Sequence, residues 1–112
     1  MKQGLILALL LTASSPAFAG ASNFTLVNGT GAGLDELSIR RSGTNEWKRL
    51  GQAPSAGARS SMTFSDPDCA FDIRATVSGA GPVTWAGVNL CDVKSVILNR
   101  DASIGAWVDY DQ

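Results

Sequence analysis

Any acid–base or nucleophilic chemistry in this chain must be built without histidine, because ten Asp and Glu side chains stand beside no His at all. A Ser-His-Asp triad is therefore excluded, and no Ser lies in a Gly-x-Ser-x-Gly elbow. Two carboxylate couples have workable spacing, Asp66 with Asp68 and Asp72 with Asp92. The second is the pair a small envelope hydrolase would use as acid and base. Turn formation and hydration account for the same residues without catalysis. Asp66 and Asp68 also offer oxygens to calcium, but that ion wants roughly six to eight ligands from a Gly-punctuated loop, a density this segment lacks. No metal and no cofactor is expected, and the sequence points away from an enzyme.

Cys69 and Cys91 are the two cysteines. With no His and no further Cys to complete a metal set, and no close two-residue spacing between them, they read as a disulfide. The N-terminus agrees with oxidising surroundings. Lys2, the apolar run Gly4 to Ala13, Pro16 and the small-residue pattern Ala17-Phe18-Ala19 form an export signal, giving a signal peptide over 1–19 and one domain over 20–112. The run is shorter than the roughly 20 residues that cross a bilayer, so no membrane span is expected and the location is periplasmic or secreted. A domain this small has a marginal core, and a disulfide closing this loop should add about 3 kcal/mol.

Charge argues against a nucleic-acid partner, so none is expected: the formal net is −1. Its distribution is uneven, since residues 20–64 hold five of the basic and three of the acidic groups while residues 65–112 hold three and seven. Arg40, Arg41, Lys48 and Arg49 cluster around Trp47, and this stretch is the candidate binding surface, with Trp107 as a further exposed aromatic. Trp85, beside the cysteine strand, reads as core. Gly29-Thr30-Gly31-Ala32-Gly33 lacks the Lys and helix of a phosphate loop and reads as a turn. Asn23-Phe24-Thr25 and Asn28-Gly29-Thr30 match the glycosylation acceptor pattern.

Short alternating apolar stretches punctuated by Gly, Pro, Asn, Asp and Ser must position these residues. That pattern predicts an all-β fold, a small Greek-key β-sandwich of about seven antiparallel strands. Strands are expected at 23–27, around Leu37 and Ile39, at Met62 and Phe64, at 69–77, 83–91 and 93–98, and from Ile104 to Tyr110, whose acidic end should fray. Glu46 to Leu50 reads as a short edge strand or an irregular crossing. Cys69, Phe71, Ile73, Ala75 and Val77 share one face, with Asp72, Arg74 and Thr76 on the other. A five-residue loop, Ser78 to Pro82, would centre the following hairpin on Ala80, setting Ala75 opposite Trp85, Val77 opposite Val83 and Cys69 opposite Cys91. Val88 and Leu90 have the wrong parity for an unbroken hairpin, so a bulge near Ala86-Gly87 is expected, and it leaves the register at the cysteines open.

The marks Leu26-Val27-Asn28-x-Thr30-Gly31, Leu37-Ser38-Ile39, Trp47, Leu50-Gly51, Cys69-x-Phe71-Asp72-Ile73-Arg74 and Trp85-x-Gly87-Val88-x-Leu90-Cys91 occur in that order. In this the chain resembles a family of small exported bacterial proteins of unknown function, over nearly all of Asn23 to Leu98. The resemblance concerns turns, core positions and the cysteine pair, and so implies a fold more than an activity. The expected function is an exported binding or interaction module whose partner is an unknown protein or envelope component. The alternatives are the Asp72/Asp92 hydrolase and an envelope structural or inhibitor protein. The sequence does not fix the oligomeric state.

Overall fold

A computed structural model describes residues 20–111; the signal peptide read over 1–19 lies outside them. The described residues form eight strands: β1 (Phe24–Gly29), β2 (Leu34–Arg41), β3 (Lys48–Arg49), β4 (Arg59–Met62), β5 (Ala70–Val77), β6 (Gly81–Asn89), β7 (Ser95–Asp101) and β8 (Gly105–Asp111). They make two four-stranded sheets, ordered β4-β1-β7-β8 and β3-β2-β5-β6. The fold is a small all-β sandwich with one disulfide, and no described helix is long and apolar enough to cross a membrane.

Alternation drives the layering. Phe24 and Leu26 from β1, with Val96 and Leu98 from β7, are buried against Leu37, Ile39, Phe71, Ile73, Ala75, Val77 and Trp85 from the facing sheet. Phe64 bridges the layers at one end, its ring edge-on to Phe24 at 6.2 Å and to Phe71 at 5.1 Å. Trp85 is core, as its place in the sequence suggests, and its indole N–H donates to the Asn99 carbonyl at 2.9 Å, so one side chain ties the two sheets together.

The strand pairing departs from the expectation in three places. β1 lies between β4, its antiparallel partner, and β7, to which it is parallel. Parallel pairing across the length of the chain leaves no local signature in a sequence. The last segment does not fray: Ser95 pairs with Asp111, and the Lys94 N–H donates to the Asp111 carbonyl at 2.8 Å. The β5–β6 loop is three residues, not five. Val77 pairs with Gly81, Ala75 with Val83 and Ile73 with Trp85. Two positive-φ glycines, Gly79 and Gly81, tighten the turn, and Pro82 is tolerated because β6 is an edge strand that owes no N–H there.

The expected bulge is present. Pairing shifts between Phe71 and Ile73, so Ala86 and Gly87 together oppose Asp72, with Gly87 at φ 66°. The shift turns Val88 and Leu90 inward, and both are buried. Beyond it, Leu90 N–H donates to the Cys69 carbonyl, and Cys69 is bonded to Cys91, one step off the ladder, with Cα atoms 5.2 Å apart. The disulfide therefore clasps the open end of the hairpin.

Candidate functional site

The outer face of the β3-β2-β5-β6 sheet collects most of the cations of interest. Cross-strand pairing sets Arg49 of β3 and Arg74 of β5 on either side of Ser38 of β2, and Arg40 beside Asp72. Trp47, in the segment leading into β3, lies over this face with the Arg40 guanidinium 4.5 Å and the Arg74 guanidinium 3.9 Å from its ring centre. Both are within the range of cation–π attraction. The ring is half-buried, held by cations and not by the core. Alternation had put Arg74 on the wet side of its strand, but its meeting with Trp47 depends on how the segment before β3 crosses, which no local pattern encodes.

Asp72 anchors the arrangement. Although it points to the outer face it is buried, and it fills the bulge: Oδ1 accepts from the Gly87 N–H at 3.0 Å and the Ser42 hydroxyl at 2.8 Å, while Oδ2 accepts from Arg40 Nε at 2.8 Å. Burial alone would raise its pKa. The hydrogen bonds from Gly87, Arg40 and Ser42 outweigh that and hold the carboxyl below the ordinary aspartate range. A carboxylate kept ionised and saturated with donors is poorly suited to act as a general acid. Asp92, the other member of the couple, is exposed on the turn after Cys91 at φ 61°. Arg40 has its remaining reach directed to Asn45 Oδ1 at 3.3 Å.

Arg41 is turned away from this surface. Its Nε lies 3.2 Å from both oxygens of Asp66 and 3.2 Å from Asp68. The two carboxylates weighed for calcium thus converge on a guanidinium, and the Asp68 N–H donates to Asp66 Oδ1 at 2.8 Å. Asp66 too is held low: burial opposes its charge, but the Asp68 N–H and Arg41 more than compensate. Among the described residues no group of three or more His, Cys, Asp or Glu is placed to hold a metal ion. Lys48 extends over the Phe64 ring, 5.7 Å from its centre, above a cleft of about 370 Å³ shared by Arg40, Arg41, Glu46, Trp47 and Asp66.

Arg49 and Arg74 are different. Among the described residues neither guanidinium makes a hydrogen bond or ion pair. They border a second cleft of about 410 Å³ with Glu36, Ser38, Thr76 and Pro82.

Trp107 belongs to another region. It lies on β8, at the edge of the opposite sheet, 41% exposed. With Ile104 and Tyr110 it makes the β7–β8 hairpin the place where large apolar side chains meet solvent. Tyr110 is tied back, its hydroxyl accepting the Asn89 N–H at 2.9 Å. The sequence grouped Trp107 with Trp47 by residue type; the fold separates them.

The turn after β1 is an interior polar knot. Asn28 is fully buried, donating through Nδ2 to the carbonyls of Ala32 and Pro54 and accepting at Oδ1 from the N–H and hydroxyl of Thr30. Asn23, the other asparagine in an acceptor pattern, is exposed and caps the Phe64 N–H at 2.7 Å. No protein-family model, no curated protein and no solved structure matches the chain.

Proposed function

We propose that the protein is an exported, non-enzymatic binding module that engages an envelope or extracellular component through the outer face of its β3-β2-β5-β6 sheet. One observation carries the reading: Trp47 holds the guanidiniums of Arg40 and Arg74 over this face, and among the described residues neither Arg74 nor the nearby Arg49 has a hydrogen-bond or ion-pair partner. Arg74 is thus both positioned and unneutralised, and such a guanidinium gives binding energy with little ordering entropy to lose. The disulfide and the export signal read in the sequence support a location outside the cytoplasm, where so small a domain benefits from a covalent clasp. The resemblance to small exported bacterial proteins points the same way.

Cross-linking mass spectrometry in the native host tests this. Cross-links from residues bordering Trp47 should reach a partner and should fall at least about tenfold in Trp47→Ala, a variant expected to lose only about 1 to 2 kcal/mol of stability because it removes two cation–π contacts and no core packing. A folded Trp47→Ala protein that keeps the wild-type cross-links overturns the proposal.

A further inference from the structure

The two guanidiniums that make no hydrogen bond or ion pair among the described residues point to a ligand class, an inference that rests on the binding reading above. Arg49 and Arg74 both pair across to Ser38, one from each side, so their side chains rise from strands two apart, about 10 Å at ordinary sheet spacing. Two long side chains easily close on one group across that distance. The Arg74 guanidinium already has cation–π contact with Trp47, so less entropy remains to be lost when it binds. Trp47, for its part, has two guanidiniums over its ring, so it positions cations at the border of the cleft.

The rest of the cleft is not built for a bare polyanion. The Glu36 carboxylate lies in it, accepting from the Thr76 hydroxyl at 3.2 Å, and the Ser38 and Thr76 hydroxyls and the Pro82 ring complete its lining. A carboxylate repels a polyphosphate or an acidic peptide, yet it is a good acceptor for ligand hydroxyls. Pro82 offers a flat apolar surface to ring C–H groups. A volume of about 410 Å³ suits one or two sugar rings. We propose that this cleft binds an acidic saccharide unit, with its carboxylate held between Arg49 and Arg74 and its hydroxyls met by Glu36, Ser38 and Thr76.

Titration of the ¹⁵N-labelled oxidised protein by NMR decides it. A disaccharide carrying one hexuronic acid ring should shift the amides of Ser38, Arg74 and Thr76, and the matching neutral disaccharide should bind at least about tenfold more weakly. Arg49→Gln and Arg74→Gln should each weaken the uronate by about tenfold while leaving the rest of the spectrum in place. Glu36→Gln, which keeps an acceptor and removes the repulsion, should raise affinity for polyglutamate relative to the uronate. Equal binding of neutral and acidic sugars, tighter binding of polyglutamate than of uronate to the unaltered protein, or Arg49→Gln and Arg74→Gln that bind as before each overturn the assignment. No response to any saccharide overturns it too: with a Trp47-dependent cross-linked partner in hand the ligand class alone falls, and without one the binding reading falls with it.

Discussion

Asp72 is where a single side chain does most to hold the outer face of the β3-β2-β5-β6 sheet in shape. It accepts from a backbone N–H in a bulge, a hydroxyl from the turn after β2 and a guanidinium, and it is buried while doing so. Removing it takes the acceptor from the Gly87 N–H, the Ser42 hydroxyl and Arg40 Nε, so Asp72→Ala should cost about 2 kcal/mol in urea denaturation, a figure kept low because Arg40 retains Asn45, Trp47 and some access to water. The pH dependence has a definite sign. Asp66 and Asp72 have folded pKa values below those of the unfolded chain, so the unfolded state binds protons more readily and the stability these groups give is complete above the unfolded value of about 4. It is lost as pH falls from there through the lowered folded values. Melting temperatures recorded from pH 7 to pH 2 should drop in that acid window, and Asp72→Asn should show a shallower drop than the unaltered protein. An equal slope would remove Asp72 from the account.

The β5–β6 hairpin shows which features of an element a sequence reveals. The parity conflict of Val88 and Leu90 with Trp85 was enough to place the bulge at Ala86-Gly87, because side-chain burial in a strand has period two and a slipped period must be repaired locally. Nothing in the same residues gave away that Asp72 would fill the bulge, since that depends on Arg40 and Ser42 from another strand and its turn. Turn length is hidden for a related reason: Gly79, Gly81 and Pro82 all favour a reversal, and only the ladder shows that Gly81 and Pro82 already belong to the strand. The clasp at the hairpin's open end yields a further expectation. Replacing Cys69 and Cys91 together by Ser should lower stability by about 2 to 5 kcal/mol in denaturant titration, and dithiothreitol should do the same to the unaltered protein but not to the variant. A smaller effect would mean the bulge and its hydrogen bonds fix the hairpin unaided.

Across the whole molecule the two sheets differ in what they present. One carries Arg40, Arg49 and Arg74 on its outer face; the other ends in a hairpin with Asp101, Asp109 and Asp111 beside exposed Ile104 and Trp107. The imbalance of charge between the two halves of the sequence matches this only in part, since Arg74 comes from the acidic half and Arg59 joins the other sheet, and separating Trp107 from Trp47 requires knowing which sheet each joins. Binding at the arginine face should weaken as sodium chloride rises from about 0.05 to 0.5 M, because screening shortens from beyond 10 Å to a few ångströms over that range. Salt-insensitive retention of the partner would place its anchor elsewhere, with the Trp107 hairpin the next surface to mutate. The parallel contact between β1 and β7 bears on the order in which the molecule comes into being. A chain made from its N-terminus produces β1 first, yet one flank of that strand finds its partner only when residues 95–99 exist. Until then β4 alone can pair with it, and the two halves of the sandwich have no shared sheet to close around. The hairpin with its disulfide joins residues close in sequence, so closing it costs less chain entropy than the β1–β7 contact, which spans most of the domain.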